Sequence, residues 1–193
     1  PIAPPLSITI SSDIPSNSGL GSSSSITVGL LKALHVARGE KINNYCLAEE
    51  ACQIEIDIIK NNIGKQDQYA AAFGGLNFIK FKKHNVTVKK IDKEKVIKKI
   101  LKNSFLIWTG QFRKASDILK KHSEKIKKND QEQLQLLYLY AIAGNKLFNS
   151  KKFDYRKFHS LLKKNWNTKN KFNKLVSNSR IDKICKILDK EKV

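Results

Sequence analysis

Methionine is absent from the chain, even at position 1, and glycine and proline are sparse at nine and four among 193 residues. A collagen-like or low-complexity chain is excluded by this composition. No apolar run approaches the roughly 20 residues that cross a bilayer, and residues 1–7 lack the basic flank of a signal peptide. We therefore expect a soluble, cytoplasmic protein of one or two compact domains. The missing initiator methionine indicates a processed chain or a piece of a longer open reading frame.

Cysteine is equally scarce, with Cys46, Cys52 and Cys185 and no C-x-x-C pair. Cys46 and Cys52 stand six residues apart, a spacing that turns them away from each other on a helix. The number and spacing therefore favour neither a disulfide nor a metal pair. We expect reduced thiols packed in the core of a cytosolic protein.

Acidic residues are few beside basic ones, 17 Asp+Glu against 37 Lys+Arg, for a net charge of +20. Such a charge is typical of proteins that bind polyanions. Arginine, however, occurs at only four positions, although phosphate and base recognition favour its forked guanidinium. The lysines come in pairs on the outer faces of predicted helices. A solvated surface is the favoured interpretation, and nucleic-acid binding is the alternative.

The first part of the chain predicts a strand, a glycine-rich loop and a helix. Residues 6–11 alternate apolar and polar side chains, as a half-buried strand does. Residues 13–21 contain the common turn formers, and helical spacing of apolar residues begins at Ser22 and closes at Arg38 and Gly39. The remaining predicted elements are helices from Asn43 or Asn44 to about Ile59 and over 65–73, 113–128, 131–149, 154–172 and 178–191, and strands over 77–81, 86–91 and 105–110.

The glycine-rich loop is the most informative stretch of the sequence. Its glycines allow the backbone to approach a phosphate closely, and the following helix presents its positive end. Serine hydroxyls at the helix start can bind phosphate or Mg²⁺. No Gly-Lys-Ser/Thr follows, so this is not a Walker motif, and the third glycine of a dinucleotide fingerprint is missing. The alternative is a plain turn before a serine-rich helix start.

Three stretches resemble the GHMP kinases, the superfamily of galactokinase, homoserine kinase, mevalonate kinase and phosphomevalonate kinase. The loop motif Pro-x-x-x-Gly-Leu-Gly-Ser-Ser-Ser begins at Pro15 and looks like the family's second motif, which holds the ATP triphosphate. Residues 63–78 are similar to a segment of the branch that phosphorylates D-glycero-D-manno-heptose 7-phosphate. Residues 108–119 resemble that branch's Tyr-Thr-Gly-x-x-Arg-x-Ala-x-x-Ile-Leu stretch.

The resemblance implies an α+β fold whose first domain is similar to the second domain of ribosomal protein S5. Residues 1–103 would form the ATP-binding domain without its first strands, and residues 104–193 a mainly helical domain without its final glycine-rich motif. The implied reaction is ATP-dependent phosphorylation of a sugar or sugar-phosphate hydroxyl, with heptose 7-phosphate favoured over galactose or fucose. The alternative is a non-catalytic ATP-binding remnant. The absence of the first strands and of the final glycine-rich motif is compatible with a fragment, a truncated gene model or a degenerate paralogue.

The resemblance also assigns roles to individual residues. Phosphoryl transfer requires neutralised phosphates and a positioned acceptor hydroxyl. Asp67 is the implied catalytic base, and Mg²⁺ would be held by Ser23 and Glu55, with Asp57 as the rival carboxylate. The implied ATP contacts are Pro15, Gly19, Leu20, Gly21, Ser22, Ser23 and Ser24. The implied contacts to the sugar are Lys65, Gln66, Gln68 and Tyr69.

Overall fold

The computed structural model describes residues 6–14, 18–110, 131–173 and 176–190, which fall into two compact units. The first unit extends to Lys90 and the second begins at Ile91. The domain boundary expected near residue 103 is a different division of the chain and stays a prediction. The helix predicted over 113–128 lies outside the described residues, as does Pro15. Within the described ranges, no helix is long and apolar enough to cross a membrane.

The first unit combines helices with one hairpin. Its elements, in chain order, are helix α1 (Ser22–Ala37), helix α2 (Asn44–Cys52), a π-helix (Gln53–Ile58), helix α3 (Gln66–Phe73), strand β1 (Asn77–Phe81) and strand β2 (Val86–Lys90). The Asn43 side chain caps α2 by accepting a hydrogen bond from the Cys46 amide at 2.9 Å. The predicted helices α1 and α3 are confirmed, whereas the helix predicted through about Ile59 is α-helical only to Cys52 and continues as the π-helix. The mixture of helices and a small sheet agrees with the expected α+β class.

Strands β1 and β2 form an antiparallel hairpin in which Asn77 pairs with Lys90 and Phe81 with Val86. The Lys82 amide donates to the Asn85 carbonyl at 2.9 Å and closes the turn. A two-stranded sheet is marginal by itself, so its stability depends on what covers one face. That cover is the cluster built from α2 and α3, against which Val86 and Val88 pack. The predicted hairpin is confirmed.

The core of the first unit lies where α1, α2 and α3 meet. Val28 and Leu31 of α1 pack against Leu47 and Ala51 of α2. A second cluster joins Ala48 and Cys52 of α2 to Tyr69 of α3. Ala48 and Ala51 are fully buried, and their small side chains permit close approach of the helices. This packing brings the start of α1, the π-helix and the start of α3 to one region.

The second unit is helical in its described part: α4 (Glu94–Lys102), α5 (Gln131–Asn149), α6 (Tyr155–Phe172) and α7 (Ser179–Lys190). The last three were predicted within one residue at each end. Helix α4 was missed, although Glu94 and Lys98 form an i,i+4 ion pair at 2.6 Å on its surface. Helices α5 and α6 pack together, and Phe148 contacts the rings of Phe153 and Phe158.

Two predicted strands and one predicted burial are wrong. Residues 6–11 and 105–110 are not strands, and Ile8 and Leu106 are 52% and 85% exposed. Alternation predicts a strand only where a neighbouring strand can bond with the backbone. Among the described residues, the only sheet is the β1–β2 hairpin. Cys46 is exposed rather than packed in the core, whereas Cys52 is buried.

Candidate active site

The loop before α1 has the backbone of an anion-binding turn. Gly19 and Gly21 have φ values of +80° and +71°, which strain any residue with a Cβ. Gly21 is the N-cap of α1, and its carbonyl accepts the first helical bond from the Ser25 amide at 3.0 Å. No side chain caps the helix, and no acidic residue lies in its first turn. The amides and the positive end of α1 are therefore available to an anion.

Glu55 lies beneath this loop with its carboxylate almost wholly buried. The π-helix that carries it turns it inward, and the residue is 1% exposed. Ser23 Oγ donates to Glu55 Oε1 at 2.5 Å, and Ser24 Oγ donates to Oε2 at 2.7 Å. The serine-rich start of α1 is thus bonded directly to the glutamate that sequence reasoning paired with Ser23.

Gln68 of α3 contributes a third donor to the same carboxylate. Its Nε2 lies 2.5 Å from Glu55 Oε2, and the side chain is fully buried. Gln68 Oε1 and Ser18 Oγ are buried and have no hydrogen-bond partner among the described residues. Gln68, predicted as a sugar contact, thus bonds to Glu55 in this structure, and its contact with a sugar stays a prediction.

Asp67 stands in the first turn of α3, beside the loop. A Cβ added at Gly21 would lie 3.4 Å from Asp67 Oδ2, so the carboxylate lies beside the loop at this glycine. The side chain is exposed, which leaves its second face open to a bound molecule. The structure thus brings together Gly21, Ser23, Glu55 and Asp67, which are separated by up to 46 positions in the sequence.

The other proposed sugar contacts are placed differently. Tyr69 is 1% exposed, its hydroxyl donates to Glu49, and burial raises its pKa. Lys65 pairs with Glu49 at 3.4 Å and borders a surface cavity of about 490 Å³ that Glu50 and Asp57 also line. Gln66 is exposed. Of the four residues, only Lys65 and Gln66 are at the surface.

The oxygens of Ser23 and Glu55 could bind a Mg²⁺ ion whose other ligands are mainly nucleotide phosphates and water. Mg²⁺ prefers oxygen ligands, keeps several waters and usually binds one or two carboxylates together with substrate phosphates. Ser23 Oγ and Glu55 Oε1 are oxygens of this kind, next to the open start of α1. In the described part of the chain, no group of three or more His, Cys, Asp or Glu side chains could form an all-protein metal cage.

Sequence reasoning missed two features of this site. It named Ser24 only as an ATP contact and did not anticipate its bond to Glu55. It predicted an ordinary helix through Ile59, whereas the segment Gln53–Ile58 is π-helical. The wider π-helical turn often occurs at functional sites, but no residue pattern in this segment distinguishes it from an α-helix.

One family of known proteins matches the first part of the chain. Residues 2–75 match the family described as GHMP kinases N terminal domain. This segment of the chain is therefore similar to the N-terminal domain of the GHMP kinases. The matched residues include the described part of the loop, Glu55 and Asp67, and the predicted resemblance to this family is confirmed.

The chain is also similar to a heptose 7-phosphate kinase. The chain is 32% identical over 189 residues to the D-glycero-alpha-D-manno-heptose 7-phosphate kinase of Campylobacter jejuni subsp. jejuni serotype O:2. The similarity covers 95% of this chain and 55% of that kinase. The chain therefore spans about half the length of its relative.

Proposed function

We propose that the protein transfers the γ-phosphoryl group of ATP to a hydroxyl of D-glycero-D-manno-heptose 7-phosphate. The observation that carries this proposal is the position of the Asp67 carboxylate beside Gly21, where an added Cβ would lie 3.4 Å from its Oδ2. The printed name of the relative supports the choice of acceptor. A cytoplasmic location, and the likeness of the first domain to ribosomal protein S5, belong to the same proposal.

The loop and the start of α1 would bind the phosphates of ATP. Backbone amides of residues 19–24 and the positive helix end supply donors, and no acidic residue lies in the first turn of α1 itself. Mg²⁺ would be held near Ser23 and Glu55, where, when bound, it neutralises phosphate charge. The buried carboxylate of Glu55 keeps Ser23 in one orientation through their 2.5 Å hydrogen bond.

Asp67 would accept the proton of the attacking hydroxyl. Its carboxylate is exposed, beside the phosphate loop, and fixed near the start of a helix. Positioning the hydroxyl in line with the γ-phosphate is the larger part of such catalysis, and proton removal adds to it. Lys65 and Gln66, at the surface before Asp67, are the residues that we place next to the acceptor.

A panel of acceptors tests the proposal in the protein expressed from its complete open reading frame. ATP, Mg²⁺ and each acceptor are incubated with the enzyme, and the products are followed by ³¹P NMR. We expect heptose 7-phosphate to give ADP and a sugar bisphosphate, while galactose and fucose give little product. Faster phosphorylation of galactose or fucose would support the proposed kinase activity but reject heptose 7-phosphate as its acceptor. ATP binding without any product would support the non-catalytic alternative.

A further inference from the structure

The carboxylate of Glu55 is held from three sides by side chains of two different helices. Ser23 and Ser24 reach it from α1, and Gln68 reaches it from α3. The two carboxylate oxygens differ in the number of hydrogen bonds that they accept from these side chains. Oε2 accepts from both Ser24 and Gln68, whereas Oε1 accepts only from Ser23 among these donors.

We propose that Gln68 and Ser24 are positioning residues that fix Glu55, whose Oε1 in turn orients the Ser23 hydroxyl oxygen to receive Mg²⁺. The inference rests on the proposed kinase function and adds two residues to it. In this role the side chains of both residues act on Glu55, and neither side chain contacts ATP or the acceptor. Gln68, in particular, is buried below the loop and acts through Glu55.

The geometry explains why Oε2 must be anchored. A carboxylate with one oxygen held by two donors cannot rotate freely, so its other oxygen points in a single direction. That oxygen lies 2.5 Å from Ser23 Oγ. Because Ser23 donates its proton to Oε1, the lone pairs of its hydroxyl oxygen face away from Glu55, where they can bind a cation. Side chains that orient metal ligands in this way act as outer-shell partners.

A purely structural role would not require glutamine at position 68. The side chain is 0% exposed, yet its Oε1 has no hydrogen-bond partner among the described residues. A buried acceptor without a partner lowers stability, and an apolar side chain of similar size would avoid that cost. The donor Nε2 is therefore the useful atom of Gln68. Its neighbour Asp67 is the proposed base, so the same turn of α3 supports both the metal site and the catalytic carboxylate.

The inference is tested by calorimetric titration of ATP into the protein expressed from the complete open reading frame. The titration is made first in EDTA and then at a series of Mg²⁺ concentrations. Gln68→Met and Ser24→Ala remove the two donors and keep approximate size. Gln53→Met, at an exposed position of the π-helix, and Ser25→Ala, at the next serine of α1, are the matched controls. Thermal unfolding of every variant is measured beside binding.

Mg²⁺ should increase the affinity for ATP, and the measured quantity is the Mg²⁺ concentration that gives half of this increase. We expect that concentration to rise about 10- to 100-fold in Gln68→Met and Ser24→Ala. ATP binding in EDTA should change less than about twofold, and both controls should match the wild type.

Unchanged Mg²⁺ dependence in both variants would overturn the inference and leave the kinase proposal standing. An equal loss of ATP binding with and without Mg²⁺ would show a structural role and also overturn it. Failure of the wild type to bind ATP would reject the kinase proposal itself, and the inference with it. If Gln68→Met does not fold, Ser24→Ala decides the outcome.

Discussion

Glu55 and Gly21 show how much of a single residue's role can be predicted from the sequence. The family resemblance placed Glu55 near the metal and Gly21 in the phosphate loop. It could not show that Glu55 is buried, because burial depends on the π-helix and on donors from two other helices. Likewise, the glycine pattern predicted a tight turn, but the contact of Gly21 with Asp67 depends on how α3 packs against α1.

Gly21→Ala should weaken both the fold and the site. The positive φ of +71° disfavours alanine by about 1 kcal/mol, and the new Cβ would lie 3.4 Å from Asp67 Oδ2. Urea denaturation should show a loss of about 1 kcal/mol in the free energy of unfolding, and ATP turnover should fall. Gly29→Ala is the control, since Gly29 lies inside α1 with open space around it, and that change should stabilise by about 1 kcal/mol. Equal effects of the two substitutions would contradict the account.

His35 should make the stability of the first unit depend on pH. Its Nδ1 lies 2.7 Å from Glu40 and its Nε2 lies 2.8 Å from Glu50, so both nitrogens donate only in the protonated ring. The hydrogen bond to Glu50, followed by that to Glu40, raises the pKa of His35 above its ordinary value of 6.5. A raised folded pKa contributes stability that is fully present below about pH 6.5 and lost as the pH rises through the folded value.

Urea denaturation across this range provides the measurement. The free energy of unfolding should decline from pH 6 toward pH 8 in the wild type, and His35→Gln should remove this part of the decline. His84→Gln, at an exposed histidine of the hairpin turn, should leave it in place. A slope that persists unchanged in His35→Gln would assign the pH dependence to another group.

Helices were predicted well and strands poorly, for a physical reason. A helix satisfies its backbone locally, so capping residues such as Asn43 and Asp154 and apolar spacing of 3.6 residues suffice to place it. A strand needs a partner, and alternation in residues 6–11 carries no information about one. The β1–β2 hairpin was the exception, because its two strands are neighbours in sequence and joined by a short polar turn.

The end of the π-helix contains a local conflict that substitution should relieve. Lys60 has a φ of +61°, in the left-handed region that helix ends usually give to glycine. The Asn61 amide bonds to the Glu55 carbonyl at 3.0 Å across this turn, which holds Lys60 in place. Lys60→Gly should therefore raise the free energy of unfolding by about 1 kcal/mol. Lys32→Gly within α1 should lower it by a similar amount, about 1 kcal/mol, and a loss of stability in both variants would count against the helix-end assignment.

The lysines of the described helices of the second unit lie at the surface, and the choice between a solvated surface and a polyanion partner stays a prediction. Every lysine of α4, α6 and α7 in the described residues is exposed. Several exposed lysines form surface ion pairs, such as that of Lys163 with Asp189 at 2.7 Å, which contribute little to stability. The proposed kinase chemistry uses none of these lysines and would depend on the loop, Glu55 and Asp67.

Asp67→Asn in the protein from the complete open reading frame tests the central claim most directly. The amide preserves the shape of the side chain but cannot accept the proton of the attacking hydroxyl. Turnover of heptose 7-phosphate should fall about 10²- to 10⁴-fold, while the dissociation constant of ATP changes little. Asp57→Asn is measured in parallel, because Asp57 is the rival carboxylate. An undiminished rate in Asp67→Asn, with the loss appearing in Asp57→Asn instead, would contradict the account.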